Sequence, residues 1–155
     1  MKFSTQEEYS IRLLLRIAKF HKLGMSLTIP EISKAEGLTQ HNAAKLLRLL
    51  RIGGFLESER GSIGGYTLAK KPNEIKLSDV LNTIGGRLFD DSFCNTHAGT
   101  NDICSNSIEC SVRSLWRVIQ TSIDNVLKDI SLEELMESEN SFFDKFENLE
   151  QSAKK

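Results

Sequence analysis

The chain has 155 residues, and its 20 lysines and arginines against 21 aspartates and glutamates give a formal net charge of −1 with histidine neutral. A composition that is 39% hydrophobic and 26% charged, with two prolines, indicates a folded protein rather than a disordered one. The apolar runs are too short to cross a bilayer, and the first residues lack the apolar stretch of a signal peptide, so we expect a cytoplasmic protein without membrane segments.

The first helix is predicted over residues 6–21. Ser4 or Thr5 can cap it, because each is followed three positions later by a glutamate, Glu7 or Glu8. Apolar residues recur along it at spacings of three and four and form one inward-facing stripe: Tyr9, Leu13, Ile17 and Phe20.

A short second helix is predicted over residues 30–36. Pro30 suits the first turn of a helix, and Gly37 is a typical terminator. Ile32 and Ala35 are expected to face the protein interior.

A third helix is predicted from its cap at Thr39 through Ile52, and two glycines follow it. Its buried side is formed by small and apolar residues: Ala43, Leu46, Leu47 and Leu50. Its outer side is polar and basic: Gln40, His41, Lys45 and Arg48.

Two short alternating segments, residues 55–58 and 66–68, flank a glycine-rich loop, which predicts a β-hairpin. The order of three helices and a hairpin is the layout of a winged helix–turn–helix. We therefore expect a mainly α fold with a small β-hairpin wing, extended by a long dimerisation helix further along the chain.

The near-neutral total charge conceals a strong asymmetry. Residues 1–75 hold 12 basic and 7 acidic residues, net +5, whereas residues 76–155 hold 8 and 14, net −6. A charged run alone is more often a solvated helical face. Because the basic half also has the helix–turn–helix layout, the asymmetry favours binding to double-stranded DNA through its phosphates.

In this fold the third helix enters the major groove. Its first turn supplies candidates for base or phosphate contacts: Thr39, Gln40, His41 and Asn42. Candidates for further phosphate and minor-groove contacts are Lys45, Arg48, Arg51, Arg60, Ser62 and Gly64. His41 is equally compatible with an ordinary exposed histidine.

The second half of the chain contains a predicted helix over 78–84, a polar loop over 90–110 and a long helix over 111–130. Apolar residues step by three and four along the long helix: Val112, Leu115, Trp116, Ile119, Ile123, Val126, Leu127 and Ile130. A helix of this length favours packing against a second subunit, and packing on its own domain is the alternative.

A capped turn is predicted at Ser131, with Glu134 completing a capping box. The polar tail after residue 137 contains four apolar residues that suit a short amphipathic helix: Phe142, Phe143, Phe146 and Leu149. We expect a winged-helix domain over 1–75, a linker helix, cysteine loop and dimerisation helix over 76–137, and a tail over 138–155.

Cys94, Cys104 and Cys110 all lie in the predicted polar loop. An odd number of cysteines in a reducing compartment argues against a disulfide framework. Thiolates on a loop are standard iron–sulfur ligands, but the spacing is neither that of ferredoxins nor the paired Cys-x-x-Cys of most zinc sites. From spacing alone, three unrelated cysteines remain an alternative.

No catalytic motif is present: there is no GxGxxG, phosphate loop, HExxH or Ser-His-Asp set. The three histidines lie on separate predicted elements and none is paired with a nucleophile. We therefore do not expect an enzyme.

A set of residues over about 1–137 resembles one known family. The set comprises residues 1–4, Tyr9, Ile32 with Ser33, residues 46–50, the wing over 60–68, residues 75–80, the cysteine loop, and Leu115 with Trp116. On these residues, and above all on the wing sequence Arg-Gly-x-x-Gly-Gly-Tyr-x-Leu, the chain resembles the Rrf-two family of bacterial winged-helix regulators. That family includes the iron–sulfur cluster regulator IscR and the nitric-oxide-sensing repressor NsrR.

The resemblance implies a homodimer, crossed through the long helix, that binds a pseudo-palindromic operator. Related proteins contact DNA with residues that match Thr39, His41, Asn42, Lys45 and Arg60. Some relatives have a glutamate where this chain has Ala44. Since alanine cannot accept a hydrogen bond from cytosine, the operator sequence is not carried over.

The resemblance also implies an iron–sulfur cluster, 4Fe–4S in preference to 2Fe–2S, on Cys94, Cys104 and Cys110. The first gap is four residues longer than in cluster-binding relatives, and Arg113 stands where some of them have a histidine ligand. In others an acidic residue of the first helix reaches across from the partner subunit, and Glu8 matches it.

The alternative to a ligand role for Glu8 is that it caps the first helix. His97 is a further candidate for the fourth ligand. A regulator of the same fold that senses through thiol oxidation or a partner protein, without a cluster, is the second interpretation. Measurements of iron and sulfide separate the two.

Overall fold

The structure, a computed structural model, describes residues 4–59, 64–85, 87–90, 92–100 and 103–152. Within these residues the fold is mostly helical, with one antiparallel hairpin, as predicted. In chain order the elements are α1 (Thr5–His21), α2 (Ile29–Glu36), α3 (Gln40–Ile52), β1 (Leu56–Ser58), β2 (Tyr66–Leu68), a 3-10 turn (Pro72–Glu74), α4 (Leu77–Ile84), α5 (Phe93–Thr96), α6 (Ser111–Leu127), α7 (Leu132–Leu135) and α8 (Glu139–Ser152).

Helix α1 is capped by Ser4 rather than by Thr5. The Ser4 hydroxyl accepts a hydrogen bond from the backbone N–H of Glu7 at 3.2 Å, and the Glu7 carboxylate accepts one from the backbone N–H of Ser4 at 2.6 Å. The predicted capping box therefore forms at the first of the two candidate positions. The capping role considered for Glu8 is wrong, and its side chain is exposed.

The inward-facing side of α2 differs from the prediction. Ile32 is fully buried as expected, but Ala35 is exposed. Glu36 takes the inward position, because it lies four residues after Ile32 and therefore on the same side of the helix. Its carboxylate is 5% exposed and is paired with Arg12 at 2.9 Å and with Arg16 at 2.7 Å, both on α1.

Helix α3 has the predicted N-cap: the Thr39 hydroxyl accepts a hydrogen bond from the backbone N–H of Asn42 at 3.2 Å. All four residues predicted for its inner side are buried: Ala43, Leu46, Leu47 and Leu50. The three leucines join residues of α1, α2, the hairpin and α4 in one hydrophobic core.

The hairpin pairs Leu56 with Leu68 and Ser58 with Tyr66. Tyr66 also exchanges backbone hydrogen bonds with Leu27, which ties the wing to the segment before α2. A Cβ atom at Gly65 would lie 2.7 Å from the carbonyl oxygen of Leu27, so a larger residue there would push the wing off this segment.

The chain returns to the winged-helix core after α6. The backbone N–H of Leu77 donates to the carbonyl of Ile130, and that of Leu132 donates to the carbonyl of Ile75. Leu132 is fully buried in the same core as the first three helices. The long helix ends at Leu127, three residues earlier than predicted, because Ile130 is drawn into this packing.

Helix α6 contributes little to the core of its own chain. Four of its apolar side chains are more than half exposed: Val112, Leu115, Val118 and Val126. The predicted capping box at Ser131 forms with Glu134, and α8 follows over the predicted amphipathic tail. Among the residues that the structure describes, no helix is long and apolar enough to cross a membrane.

Candidate DNA-binding and cysteine sites

The outer face of α3 is exposed and basic. Every residue predicted for DNA contact on this helix and at its cap is exposed: Thr39, Gln40, His41, Asn42, Lys45 and Arg48. Arg51 is exposed as well, and the helix contains no acidic residue. Gly64 is half-buried at the base of the wing, whereas Arg60 and Ser62 lie outside the described residues.

A groove of about 360 Å³ lies between the start of α1 and the start of α3. Asn42 and Lys45 line it together with Thr5, Gln6 and Tyr9. The side-chain amide of Gln6 donates to the carbonyl of Ile84 at 2.9 Å, so this wall of the groove is fixed to α4. The sequence patterns did not predict that α1 contributes to this surface.

The three cysteines line a single cavity of about 420 Å³. Each is a free thiol and each is half-buried. Cys94 lies on the short helix α5, Cys104 lies in the loop, and Cys110 is the residue immediately before α6. The structure therefore brings together the three thiols that the sequence singled out.

Two arginines of α6 line the same cavity, Arg113 and Arg117. The guanidinium of Arg113 donates to the carbonyl of Ser107 at 3.0 Å, and its backbone N–H donates to Sγ of Cys110 at 3.3 Å. Arg113 thus holds the cysteine loop against the start of α6. Two guanidinium groups in the lining also favour negative charge in this cavity.

The thiols share a cavity without forming a finished metal site. Within the described residues, no three His, Cys, Asp or Glu side chains stand in an arrangement that could hold a metal ion. Neither candidate for a fourth ligand lines the cavity: Glu8 is exposed on α1, and His97 follows α5. The ring of His97 stacks on Phe93 with centroids 3.9 Å apart, and its Nδ1 atom lies 2.8 Å from the Phe93 carbonyl.

The turn that leads into α5 is fixed by Asp90. Its carboxylate accepts hydrogen bonds from the hydroxyl and the backbone N–H of Ser92, at 2.5 and 2.7 Å. These bonds lower the pKa of Asp90 below its ordinary value, with a smaller contribution from the charge of Arg87. Asp90 is therefore a carboxylate at neutral pH, which keeps this turn closed.

A helix–turn–helix with a hairpin wing and an exposed basic third helix defines a winged-helix DNA-binding regulator. The chain belongs to the Rrf2 family of transcriptional regulators: residues 3–138 match the family described as "Iron-dependent Transcriptional regulator". This match confirms the resemblance found in the sequence.

The chain is similar to individual members of that family. It is 30% identical to the HTH-type transcriptional regulator IscR of Aliivibrio salmonicida over 136 residues, which cover 88% of this chain and 77% of that protein. The structure of T. potens IscR matches with a TM-score of 0.68 and 26% identity, over 88% of this chain and 86% of that one.

The structure of CymR, the global cysteine regulator of B. subtilis, matches with a TM-score of 0.66 and 26% identity, over 88% of this chain and 96% of that one. These relatives are transcriptional regulators rather than enzymes.

Proposed function

We propose that this chain is a dimeric transcriptional regulator whose affinity for a pseudo-palindromic DNA operator is controlled by an iron–sulfur cluster. The observation that carries the proposal is the shared cavity of Cys94, Cys104 and Cys110. Cysteine thiolates are the standard ligands of such clusters, and the arginines in the lining offset the charge of the three that this cavity supplies. Bound there, a cluster supplies a centre that responds to nitric oxide, oxidants and iron supply.

In this proposal Glu8 of the partner subunit is the fourth ligand, and the cluster is 4Fe–4S in preference to 2Fe–2S. Glu8 is not needed for the cap of α1, since Ser4 and Glu7 complete it. Among the described residues the side chain of Glu8 makes no hydrogen bond or ion pair, which leaves an exposed carboxylate on α1. A carboxylate is a weak, exchangeable ligand, which suits a site that small molecules reach.

The exposed face of α6 supports the homodimer. Val112, Leu115, Val118 and Val126 are 53–64% exposed on a helix that contributes one buried residue to its own chain. Apolar surface of this extent on one helix is typical of an interface. Leu115→Glu is expected to give monomers by sedimentation analysis. Lys128→Gln, at the exposed C-cap of α6 and about 140° round the helix from Leu115, is expected to leave the dimer intact.

DNA contact is assigned to the cap and outer face of α3 and to the wing, through Thr39, Gln40, His41, Asn42, Lys45, Arg48, Arg60, Ser62 and Gly64. The exposure of the members on α3 and at its cap supports this assignment. The proposed division of the chain follows: residues 1–75 bind DNA, residues 76–137 hold the cluster and form the dimer, and residues 138–155 form a tail.

The test is to purify the protein without oxygen and to measure iron, sulfide and the visible spectrum. Wild type is expected to be coloured and to contain iron and sulfide, and alanine at any of the three cysteines is expected to remove both. Glu8→Ala is expected to change the spectrum. Glu7→Ala, at the adjacent glutamate that completes the capping box, is expected to leave the spectrum unchanged. Colourless wild-type protein without iron would exclude the cluster.

The second candidate is a regulator of the same fold that senses through its thiols or a partner protein. The similarity to a cysteine regulator and the absence of a finished metal arrangement among the described residues favour it. Under this interpretation DNA affinity follows thiol oxidation or the presence of the partner, and adding iron and sulfide has no effect.

A further inference from the structure

Gln120 is a buried polar residue on a helix that is otherwise exposed. It is 5% exposed, and every other described residue of α6 is at least partly accessible to solvent. It lies one turn from Trp116 and one turn from Ile123, within the helix that we propose for dimerisation. A buried amide in such a place requires partners for both its oxygen and its nitrogen.

Both ends of the Gln120 side chain have such partners. Its Oε1 atom accepts hydrogen bonds from the backbone N–H groups of Leu88 and Phe89, at 2.8 and 3.1 Å. Its Nε2 atom donates to Oδ1 of Asp124 at 2.8 Å. Asp124 in turn accepts a hydrogen bond from Arg87 at 2.9 Å. Gln120 and Asp124 together fasten residues 87–89 to the middle of α6.

The fastened segment forms one wall of the cysteine cavity. Phe89 is 5% exposed and lines the cavity beside Cys94. Its ring centroid lies 5.4 Å from that of Phe93, the residue before Cys94. Gln120 fixes the position of Phe89 by accepting the N–H groups of Leu88 and Phe89. The position of Cys94 depends on Phe89 in turn, through the contact between the rings of Phe89 and Phe93.

The same segment also connects to the winged-helix core. Arg87 donates to the side chain of Asn82 on α4 at 3.1 Å, and α4 packs against α1 and α3. Gln120 therefore connects the helix that we propose for dimerisation to the cysteine cavity and to α4, which supports the DNA-binding face.

We infer that Gln120 is a positioning residue of the cysteine site: it fixes the wall of the cavity that shields Cys94 and ties that wall to α6. The inference rests on the proposed function for the role of the thiols. Its test reads the thiols in reduced, metal-free protein, so a failure to bind iron removes the cluster proposal and leaves this result interpretable.

The experiment measures the alkylation rate of each cysteine by iodoacetamide, with isotope-coded quenching and mass spectrometry. Gln120→Leu keeps the size of the side chain and removes both hydrogen-bonding ends. Since losing the three hydrogen bonds of Gln120 favours local opening, we expect Cys94 to react about tenfold faster and Cys110 to change by less than about twofold.

A rescue variant separates positioning from general damage. In Gln120→Glu/Asp124→Asn, a carboxylate at position 120 still accepts from the two N–H groups, and an amide at position 124 donates to it. The Cys94 rate is expected to return to within about twofold of wild type. Leu47→Ala, which opens a cavity in the winged-helix core, is the control for lost stability and is expected to leave the Cys94 rate unchanged.

The inference is overturned if Gln120→Leu leaves the Cys94 rate at its wild-type value. It is also overturned if all three thiols accelerate together, or if Leu47→Ala has the same effect as Gln120→Leu. Should Gln120→Leu fail to fold, Gln120→Asn makes the same comparison, because its shorter side chain withdraws the acceptor from Leu88 and Phe89.

Discussion

The Sγ atom of Cys110 accepts a hydrogen bond from the backbone N–H of Arg113 at 3.3 Å, so the last thiol of the cysteine loop is also the N-cap of α6. The N-terminus of a helix favours negative charge. One side chain therefore takes part in two features, the cysteine cavity and the start of the helix that we propose for dimerisation. We therefore expect oxidation or metal ligation of this thiol to affect the first turn of α6.

Two substitutions distinguish the role of Cys110 as a helix cap from its role as a cluster ligand. Serine is a preferred N-cap, so Cys110→Ser is expected to keep the stability of metal-free protein, whereas Cys110→Ala is expected to lose about 1 kcal/mol. Urea denaturation measures the difference, and Cys104→Ala, which removes a thiol that caps no helix, is the control. Both Cys110 variants are expected to lose iron. Equal stability of the serine and alanine variants would contradict the capping role.

The sequence predicted the elements whose signals are local. Capping boxes, terminal glycines and apolar spacing placed α1, α2, α3 and the hairpin to within a residue or two, because each signal acts over about one turn of chain. The three cysteines that the sequence singled out in one polar loop line one cavity, and the spacing alone had left open that they were unrelated.

The features that sequence reasoning missed depend on contacts between distant segments. Ala35 was expected inside, but Glu36 is buried there because two arginines of α1 neutralise it. Gln120 interrupts the apolar pattern of α6, and that interruption was the available signal for its contact with residues 88 and 89. The end of α6 was set by the pairing of Ile130 with Leu77, which no local pattern encodes.

The two ion pairs of Glu36, with Arg12 and with Arg16, form a clamp between α2 and α1 that is expected to contribute measurably to stability. Nε and Nη2 of Arg12 both lie 2.9 Å from one carboxylate oxygen of Glu36, and Nε of Arg16 lies 2.7 Å from the other. The arginine side chains are 44% and 37% exposed, so solvent screens part of the interaction. Glu36→Gln is expected to cost about 1–2 kcal/mol in urea denaturation.

Glu133→Gln is the matched control for the Glu36 variant, because it removes the same charge from an exposed position on α7. It is expected to change stability by less than about 0.5 kcal/mol. If the two substitutions had equal effects, the clamp would be no stronger than an ordinary surface charge.

Lys45 is expected to bind DNA through phosphate rather than through a base. Lys45→Ala should weaken binding to all duplexes alike and reduce the slope of log affinity against log salt by about 1. Gln40→Ala, at the first turn of α3, should instead change the preference among sequences. Titrations at several salt concentrations, with a duplex selected from a random library, measure both effects. Lys128→Ala, at the end of α6, is expected to leave the slope unchanged.

The contact between α7 and α8 is expected to fail in acid. Lys145 on α8 donates a hydrogen bond to the carboxylate of Glu134 on α7, and this bond, with the backbone N–H of Ser131, lowers the pKa of Glu134 from 4.5 to about 2. A carboxyl whose pKa is lower in the folded state stabilises that state above its unfolded pKa and loses this effect as protons bind. The contribution is therefore complete above about pH 5 and declines toward about pH 2.

Lys145→Met removes the first of these causes and keeps the aliphatic part of the side chain. Wild-type stability in urea is expected to fall between about pH 5 and pH 3 more steeply than that of the variant, because the variant has less of the Glu134 pKa shift to lose. At neutral pH the variant is expected to be the less stable of the two. Parallel pH profiles would show that the contact contributes nothing to folding.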